Sequence, residues 1–286
     1  MAVSSGNTNL LLDCGEGTQR QLLFSTISPN KIDAILVSHL HGDHFLGLPG
    51  LIQTMSLNER SDKLKIFGPE GIDTSFQKAL TMCYFNPRFD MEVYTLSPGD
   101  RFKVGELNII AGKADHRIPS LAFRVHQDQK TGRFNRKKAL ELKIPEGPLW
   151  GRLQRGETVT FRHEGDNRTV TPDMVLGPPR SGLSVGYSGD TGPTSEMVDL
   201  MKGVDLLIHE ATFSSELEER AREYCHSTAA QAARIAKEAG AGQLCLVHSS
   251  PRYSKEGEEE VLLKEAREIF EDVIMPEDLD CLDVTR

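Results

Sequence analysis

The sequence predicts a two-layered α/β fold, and three observations support this prediction. Short apolar runs alternate with segments of helical periodicity along most of the chain. Several of the apolar runs end in clusters of polar residues, and α/β proteins gather their functional sites at such strand ends. With 286 residues, of which 38% are hydrophobic and 26% charged, the chain is long enough for one sizeable domain with its own core.

The first part of the chain predicts alternating strands and helices. Leu10–Leu12 begins a strand-like apolar run, Phe45–Leu57 has the apolar spacing of a helix packed on a sheet, and Gly68-Pro69 marks a turn. Taken in order, strands are expected at residues 8–13, 32–38, 64–69, 92–96, 107–112 and 121–125, and helices at 16–23, 45–57 and 71–84.

The segment 130–173 interrupts this alternation. It lacks a clean period and is rich in Gly and Pro, and such a composition is not expected to build a layer of its own. Between Gln127 and Arg155, eight Lys and Arg stand against three Asp and Glu, a local charge of +5 in a chain of net charge −9. We therefore expect an inserted arm that is either a basic binding patch or an exposed loop kept soluble by its lysines.

The alternation resumes after the insertion. Strands are expected at residues 183–187, 206–208 and 244–247, followed by the polar clusters Ser188–Thr191, His209–Thr212 and His248–Ser250. An Ala-rich helix is predicted over 226–238, with Ser227 or Thr228 as its N-cap, and a closing helix over 256–271.

Two classes of protein are disfavoured by composition. The chain starts without a cationic segment followed by an apolar core, and no apolar run is long enough to span a bilayer, so we expect a cytoplasmic protein without a membrane partner. The five cysteines are odd in number and widely spaced, which favours buried thiols over disulfides or a thiolate metal site.

The strongest chemical signal is the stretch His39-Leu40-His41-Gly42-Asp43-His44, which follows the apolar run 32–37. Imidazole nitrogen and carboxylate oxygen are the ligands that zinc takes when no thiolate is offered, and a turn lets alternate side chains converge on one point. A solvated polar turn is the alternative, but polar turns rarely concentrate three imidazoles in six residues. The stretch therefore predicts a metal site.

This stretch resembles the metal-binding loop of the metallo-β-lactamase superfamily, which reads His-x-His-x-Asp-His after a strand. The resemblance implies an αββα sandwich of two mixed sheets flanked by helices, formed by residues 1–286 as a single domain with 130–173 as an inserted flexible arm. It also implies two Zn²⁺ ions per subunit, which would activate a bridging water and clamp the oxygens of a phosphodiester. One ion would be held by His39, His41 and His116, the other by Asp43, His44 and His248, with Asp190 bridging both.

The chain resembles one branch of this superfamily more closely, the ribonuclease Z family of tRNA 3′-processing endonucleases in its short form. The resemblance rests on Leu12–Gln21, His39–His44, Asp115-His116, Tyr187–Thr191 and Val247–Tyr253. Two further motifs, His209–Phe213 and His226–Thr228, separate this family from lactamases and thioesterases that share the metal loop.

The resemblance implies roles for individual residues. Asp43 would bind metal and accept a proton from the attacking water, while His226, oriented by Glu210, would protonate the departing 3′ oxygen. Asp13 would orient a metal-binding histidine without touching the ion, although a carboxylate at a strand-to-turn junction is also common. The arm would bind precursor tRNA, and the candidate contact residues are Lys137, Lys138, Gly147, Pro148, Arg152 and Arg155.

Members of this family are usually homodimers in which the arm of one subunit serves the active site of the other. They ordinarily begin with a further strand, upstream of the segment that matches Val3-Ser4-Ser5, and that portion is absent here. Two alternatives therefore stay open: a truncated homologue that binds metal and RNA but cleaves weakly or not at all, and a small-substrate hydrolase such as a thioesterase or lactonase. An oxygen-reducing di-iron protein would carry Glu at the position of His41, which argues against that class.

Overall fold

The computed structural model describes residues 1–82, 86–255 and 257–285. Its strands are β1 (Ala2–Ser5), β2 (Thr8–Leu12), β3 (Ala34–Leu36), β4 (Leu64–Gly68), β5 (Met91–Thr95), β6 (Arg101–Val104), β7 (Leu107–Lys113), β8 (Leu121–Gln127), β9 (Val159–His163), β10 (Asp166–Val170), β11 (Ser184–Tyr187), β12 (Leu206–Glu210), β13 (Gln243–Val247) and β14 (Val273–Ile274). Its helices are α1 (Thr18–Leu22), α2 (Gly42–Phe45), α3 (Leu48–Leu57), α4 (Ile72–Met82), α5 (Arg136–Glu141), α6 (Pro148–Gln154), α7 (Ser195–Leu200), α8 (Glu218–Tyr224), α9 (Ala229–Ala239) and α10 (Glu260–Arg267).

The chain forms two compact units. The first comprises Met1–His126 and Leu183–Arg286, and the second comprises Gln127–Gly182. The first unit holds a five-stranded sheet in the order β1-β2-β3-β4-β5 and a seven-stranded sheet in the order β14-β13-β12-β11-β8-β7-β6. Both sheets are mixed, because β1 pairs antiparallel with β2 and β8 pairs antiparallel with β11, whereas β2 to β5 and β11 to β14 run parallel.

The two sheets and their helices form four layers. Leu10 and Leu12 of β2 belong to the apolar cluster between the sheets, while Leu11 packs outward with α3 and α4. In the other sheet, Ile208 points into the same central cluster and Leu207 packs outward with α9. This alternation places helices on both outer faces. The predicted αββα sandwich is confirmed.

Helix α9 shows how the sequence specifies one outer layer. The Thr228 hydroxyl accepts a hydrogen bond from the Gln231 amide, and the Gln231 side chain accepts one from the Thr228 amide. This capping box makes Thr228 the N-cap, so the alternative cap Ser227 is wrong. Gly240 ends the helix with a left-handed φ of 65°. Seven of its residues are buried, and most are alanines that let the helix lie close to the sheet.

Several short elements were not predicted from the sequence, namely β1, β6, β14, α7 and α8. The helix expected from Phe45 begins only at Leu48, because Pro49 occupies its first turn and Gly42–Phe45 forms a separate short helix. The helices predicted over 71–84 and 256–271 are found as α4 and α10, and residues 83–85 and 256 lie outside the described residues.

The second unit has a small core of its own, so the expectation that its composition would build no layer is wrong. It holds the antiparallel hairpin β9–β10 and the helices α5 and α6. Its buried side chains are Ala139, Ile144, Leu153, Val159, Val170 and Val175. Each of these helices and strands supplies one of them, and Ile144 and Val175 lie outside these elements, so no sequence period reveals the cluster. The unit also extends beyond the predicted boundaries 130–173 on both sides.

The described cysteines are free, and they differ in exposure. Cys14 and Cys245 are buried as predicted, whereas Cys281 is exposed, and Cys83 lies outside the described residues. Burial raises the pKa of both buried thiols to about 12, so they act as small apolar side chains. No helix among the described residues is long and apolar enough to cross a membrane.

Two glycines allow the loop after β2 to lie against the loop after β3. Cys14 donates its amide hydrogen to the His44 carbonyl at 2.8 Å, and Gly47 donates to the Cys14 carbonyl at 2.9 Å. A Cβ atom on Gly15 would lie 1.7 Å from the Asp43 carbonyl oxygen, and one on Gly47 would lie 1.8 Å from the Gly15 carbonyl oxygen. The backbone itself blocks any side chain there.

We expect Gly15→Ala to lower the free energy of unfolding by about 1–3 kcal/mol or more, because the added methyl group must push the Asp43 backbone away. Chemical denaturation of the two proteins measures this difference. Gly151→Ala is the control, since a Cβ there meets nothing closer than an Arg155 side-chain atom at 3.6 Å. Equal losses in both variants would contradict the interlocked-loop explanation.

Candidate metal centre and active site

Polar segments that follow strands of both sheets meet at one place. The loop after β3 contains the residues from His39 through His44. The segments after β7, β11, β12 and β13 contribute, in that order, His116, Asp190, His226 and His248. Glu210 is the last residue of β12. Ligand atoms from these residues form five overlapping groups of three, and within each group all atoms lie within 4.8 Å of one another. All seven of the predicted metal-binding residues belong to these groups.

Three histidines form one half of the centre. The Nδ1 atom of His41 lies 3.1 Å from Nε2 of His39 and 3.2 Å from Nε2 of His116. The rings meet edge to face, with centroids 4.8 to 5.0 Å apart. Three imidazole nitrogens are thus directed at one small volume.

Asp43, His44 and His248 form the other half. Nε2 of His44 lies 3.3 Å from Nε2 of His248, and Oδ2 of Asp43 lies 3.5 Å from Nε2 of His248 and 3.7 Å from Nε2 of His44. The Asp43 side chain is 62% exposed, whereas that of His44 is 7% exposed. This half of the centre therefore opens to solvent through Asp43.

Asp190 stands between the two halves. One of its carboxylate oxygens, Oδ2, lies 3.7 Å from Nε2 of His39 and 3.5 Å from Nε2 of His248, and the other, Oδ1, lies 3.3 Å from Nε2 of His44. The residue is only 3% exposed. It is in the right place to contact a cation in each half.

The donor set fits a pair of divalent metal ions. Nδ1 of His41 faces the Nε2 atoms of both His39 and His116, but it carries either one hydrogen or one lone pair and can pair with only one of them. Ligand atoms of a tetrahedral zinc ion with bonds of about 2.0–2.1 Å lie about 3.3 Å apart, which is close to the spacings found here. Nitrogen and carboxylate oxygen without thiolate also suit manganese or iron.

The outward-facing ring nitrogens are held by hydrogen bonds, as is usual for histidines that bind metals. His44 donates from Nδ1 to Oδ2 of Asp13 at 2.7 Å, and His116 donates from Nδ1 to the Cys225 carbonyl at 3.0 Å. Nδ1 of His39 lies 3.0 Å from the Ser38 hydroxyl, and Nδ1 of His248 lies 3.0 Å from the Thr212 hydroxyl. These contacts fix the ring orientations.

The pKa shifts at the centre follow from burial and from the hydrogen bonds between its imidazoles and carboxylates. Burial lowers the pKa of His39 to about 3, so this ring stays neutral and offers a lone pair. Burial also opposes the charge of His44, but hydrogen bonds to Asp13 and Asp190 outweigh it and raise the pKa of His44 to about 10. A hydrogen bond from His248 is the main reason that the pKa of Asp43 falls to about 2. Ionised carboxylates around a buried point favour a bound cation.

Glu210 organises the side of the centre next to His226. His226 donates from Nδ1 to Oε1 of Glu210 at 2.8 Å, and Glu210 is 1% exposed. The other carboxylate oxygen accepts the Thr212 hydroxyl at 2.7 Å, so Thr212 is left to accept from His248. The His226 and His248 rings stack with centroids 5.6 Å apart. One buried carboxylate therefore orients His226 directly and His248 through a hydroxyl.

Three residues of the site adopt left-handed backbone conformations, which residues other than glycine rarely adopt. They are Asp13, Cys225 and His248, with φ of 58°, 56° and 59°. Each makes one of the contacts described above, through a carboxylate, a carbonyl and a ring. Residues in such conformations cluster at functional sites, where the surrounding structure holds them in place.

The predicted tRNA contacts all lie in the second unit and are exposed. Lys137 and Lys138 are on α5, while Gly147, Pro148, Arg152 and Arg155 lie on or beside α6. Arg152 and Arg155 both pair with Glu157, at 2.8 and 3.1 Å. The two lysines are therefore the better candidates for contact with phosphates, because neither arginine charge is fully free.

Sequence reasoning missed four contributors to the site, namely Ser38, Tyr187, Thr212 and the Cys225 carbonyl. Tyr187 and Thr212 lie inside the motifs named above, but Tyr187 has the pattern of a core strand residue. Ser38 directly precedes the histidine stretch, and its hydroxyl gives no separate signal. A backbone carbonyl carries no sequence signal at all.

The sequence matches a family model described as a Beta-lactamase superfamily domain over residues 8–140 and 148–249. Curated proteins named ribonuclease Z are similar over almost the whole chain. One from Archaeoglobus fulgidus is 42% identical over 286 residues, covering 99% of this chain and 90% of the relative. One from Brevibacillus brevis is 40% identical over 280 residues, covering 96% of this chain and 87% of the relative.

Solved structures agree with this assignment. The crystal structure of the short form of human tRNase Z matches with a TM-score of 0.69 and 26% identity, covering 100% of this chain and 92% of the human chain. The metallo-β-lactamase fold protein YhfI from Bacillus subtilis matches with a TM-score of 0.66 at 23% identity, which supports the fold. This chain therefore belongs to the ribonuclease Z family of the β-lactamase superfamily.

Proposed function

We propose that this protein is a tRNA 3′-processing endoribonuclease, which hydrolyses the phosphodiester bond between a precursor tRNA and its 3′ trailer. The observation that carries the proposal is the convergence of six predicted ligands around Asp190 in a chain about 40% identical to ribonuclease Z. Water supplies the new oxygen on phosphorus, the bond from phosphorus to the 3′ oxygen breaks, and the tRNA keeps a 3′ hydroxyl. The trailer leaves with a 5′ phosphate.

The metal cofactor that we propose is a pair of zinc ions. His39, His41 and His116 would hold one, Asp43, His44 and His248 the other, and Asp190 would contact both. When bound, such a pair lowers the pKa of a bridging water and stabilises negative charge on the attacking and departing oxygens. The donor atoms and their spacing support this assignment.

Asp43 is our candidate for accepting the proton of the attacking water. Its side chain is 62% exposed, whereas the other six predicted ligands are buried or half-buried. A ligand that also meets solvent can both contact the metal centre and receive a proton from water.

His226 is our candidate for protonating the 3′ oxygen as it departs. The hydrogen bond from Nδ1 to Glu210 leaves Nε2 as the nitrogen that can pass on a proton. The side chain of His226 is 15% exposed, so a substrate can reach it. This pairing of an imidazole with an orienting carboxylate is a common arrangement for a general acid.

The direct test is incubation of the zinc-loaded protein with a precursor tRNA that carries a 3′ trailer. We expect one cut, leaving a 3′ hydroxyl at the end of the acceptor stem, and we expect it to disappear on metal chelation and return with zinc. Asp43→Ala should lose at least about 100-fold in rate. The control variant Tyr253→Phe, which changes a residue outside the metal centre, should cleave the precursor at the native rate.

A chain that binds zinc yet leaves the precursor intact would contradict this function. Retained tRNA binding would then favour an inactive RNA-binding homologue. Hydrolysis of small esters or thioesters in place of tRNA would favour a small-substrate hydrolase.

We expect His226→Ala to lower the cleavage rate by about 10²–10⁴-fold, because the leaving oxygen then departs without a proton. A substrate with sulphur in place of the bridging 3′ oxygen should restore most of the rate, because a thiolate needs no proton to leave. Single-turnover kinetics with both substrates measure the two rates. An equal defect on the sulphur substrate would assign His226 a different role.

The second unit is our proposed contact surface for the folded part of the tRNA. Its cations would meet phosphates by charge and shape, as expected for double-helical RNA. Lys137 and Lys138 are neighbours on α5, and both are exposed. Gly147 and Pro148 begin α6, where a fixed turn would present the surrounding residues.

Replacing Lys137 and Lys138 together by Ala should raise KM for precursor tRNA about 3–10-fold and leave kcat unchanged, because lysines that only bind phosphates contribute equally to the ground state and the transition state. The slope of the logarithm of the binding constant against the logarithm of the salt concentration should become shallower by the amount expected for about two phosphate contacts. The paired control, Lys31→Ala with Lys78→Ala, removes the same charge from exposed sites of the first unit. An unchanged KM in the α5 variant would exclude these lysines from tRNA binding.

We further infer that the protein is a homodimer, as the family resemblance implies, and that the second unit of one subunit serves the active site of the other. The exposed neighbours Leu23 and Phe24, at 67% and 65% exposure, are apolar surface that a partner could cover. We place the protein in the cytoplasm, because relatives come from bacteria and archaea, where tRNA is transcribed in that compartment.

A further inference from the structure

Tyr187 connects the two sheets immediately beside the metal centre. It is the last residue of β11, three positions before Asp190, and it is 5% exposed. Its hydroxyl donates to Oδ2 of Asp13 at 2.5 Å. Asp13 follows β2 of the five-stranded sheet, while β11 belongs to the seven-stranded sheet. This hydrogen bond therefore joins strand ends from opposite layers.

The Asp13 carboxylate is held from several directions. Besides Tyr187, Oδ2 accepts the Ser38 hydroxyl at 2.7 Å and Nδ1–H of His44 at 2.7 Å, while Oδ1 accepts the Ser38 amide at 2.6 Å. Among these donors in the described chain, only Tyr187 comes from the second sheet. The other donors and Asp13 itself belong to the loops of the first sheet.

Both halves of the centre depend on this carboxylate. His44 receives its orientation directly from Asp13, and its Nε2 faces Asp190 and His248. His39 contacts the Ser38 hydroxyl, which in turn donates to Asp13. Asp190 and His248 come from the second sheet. The Asp13 carboxylate therefore connects His44, and His39 through Ser38, to Tyr187 of the second sheet.

We propose that Tyr187 is a positioning residue for the metal centre. Its hydroxyl holds the Asp13 carboxylate, and through it the rings of His44 and His39 from one sheet, at the distance from Asp190 of the other sheet that metal binding requires. This inference rests on the proposed metal centre, whose donor atoms fit a pair of ions. The hydroxyl of Tyr187 interacts with Asp13 and Ser38, and among the described residues no hydrogen bond joins it to a predicted metal ligand.

Tyr187 also has a packing role, which an experiment must separate from its positioning role. Its ring belongs to the apolar cluster between the sheets. Tyr187→Phe keeps this ring and removes only the hydroxyl. Tyr253→Phe is the matched control, because it removes a hydroxyl that hydrogen-bonds to Ser214 and contacts none of the predicted ligands.

The test is zinc affinity, measured on metal-stripped protein by competition with a chromophoric chelator. We expect Tyr187→Phe to bind at least one of the two ions about 10–100-fold more weakly, the range typical for loss of a contact that orients a metal ligand. Tyr253→Phe should bind both ions within twofold of the native protein. With precursor tRNA at limiting zinc, kcat should fall in Tyr187→Phe while KM stays constant, and excess zinc should restore kcat.

Thermal unfolding of the metal-stripped proteins supplies the readout for fold stability. If Tyr187→Phe unfolds at a lower temperature but binds both ions within twofold of the native protein, the hydroxyl is only structural and the proposal is overturned. Equal losses of affinity in Tyr187→Phe and Tyr253→Phe would overturn it as well. A native chain that takes up no zinc would overturn the metal centre itself, so the two failures are distinguishable.

Discussion

The site depends on the Asp13 carboxylate, which is buried at the edge where the two sheets meet. It accepts hydrogen bonds from the loop after β3 and from the end of β11, so it ties the layers together at the point where the predicted ligands converge. A buried carboxylate is tolerated only with such donors, because an unpaired charge there would cost several kcal/mol. The left-handed backbone of Asp13 and the close approach allowed by Gly15 are consequences of the same arrangement.

Glu210 has the corresponding role on the other side of the centre. It orients His226 directly and His248 through Thr212, so a proposed acid and a proposed metal ligand share one support. The fold thus supports a group of histidines with two buried carboxylates, Asp13 and Glu210, each of which accepts several hydrogen bonds. Negative charge in a low-dielectric setting favours cations, and the hydrogen bonds decide where each ring points. Because the carboxylates and their hydrogen bonds orient the rings, short loops can hold many ligands in place.

Much of this was predictable from the sequence, and the exceptions have physical reasons. The metal ligands were predictable because each follows an apolar strand and belongs to a motif. They are the ligands within His39–His44, together with His116, Asp190 and His248. The contact between Tyr187 and Asp13 spans 174 positions, and no local pattern encodes it. The edge strands β6 and β14 have only four and two residues, which is too short for an alternating pattern to be recognised in the sequence. The core of the second unit takes one buried residue from each helix and strand, so no periodicity in the sequence indicates it.

The central claim is that seven side chains hold two metal ions that share Asp190. The most direct measurement is a crystal structure of the zinc-loaded protein with anomalous data collected on both sides of the zinc absorption edge. We expect two anomalous peaks about 3.5–4 Å apart, both in contact with Asp190. One should lie beside His39, His41 and His116, and the other beside Asp43, His44 and His248. A single peak, or peaks that involve other residues, would contradict the account.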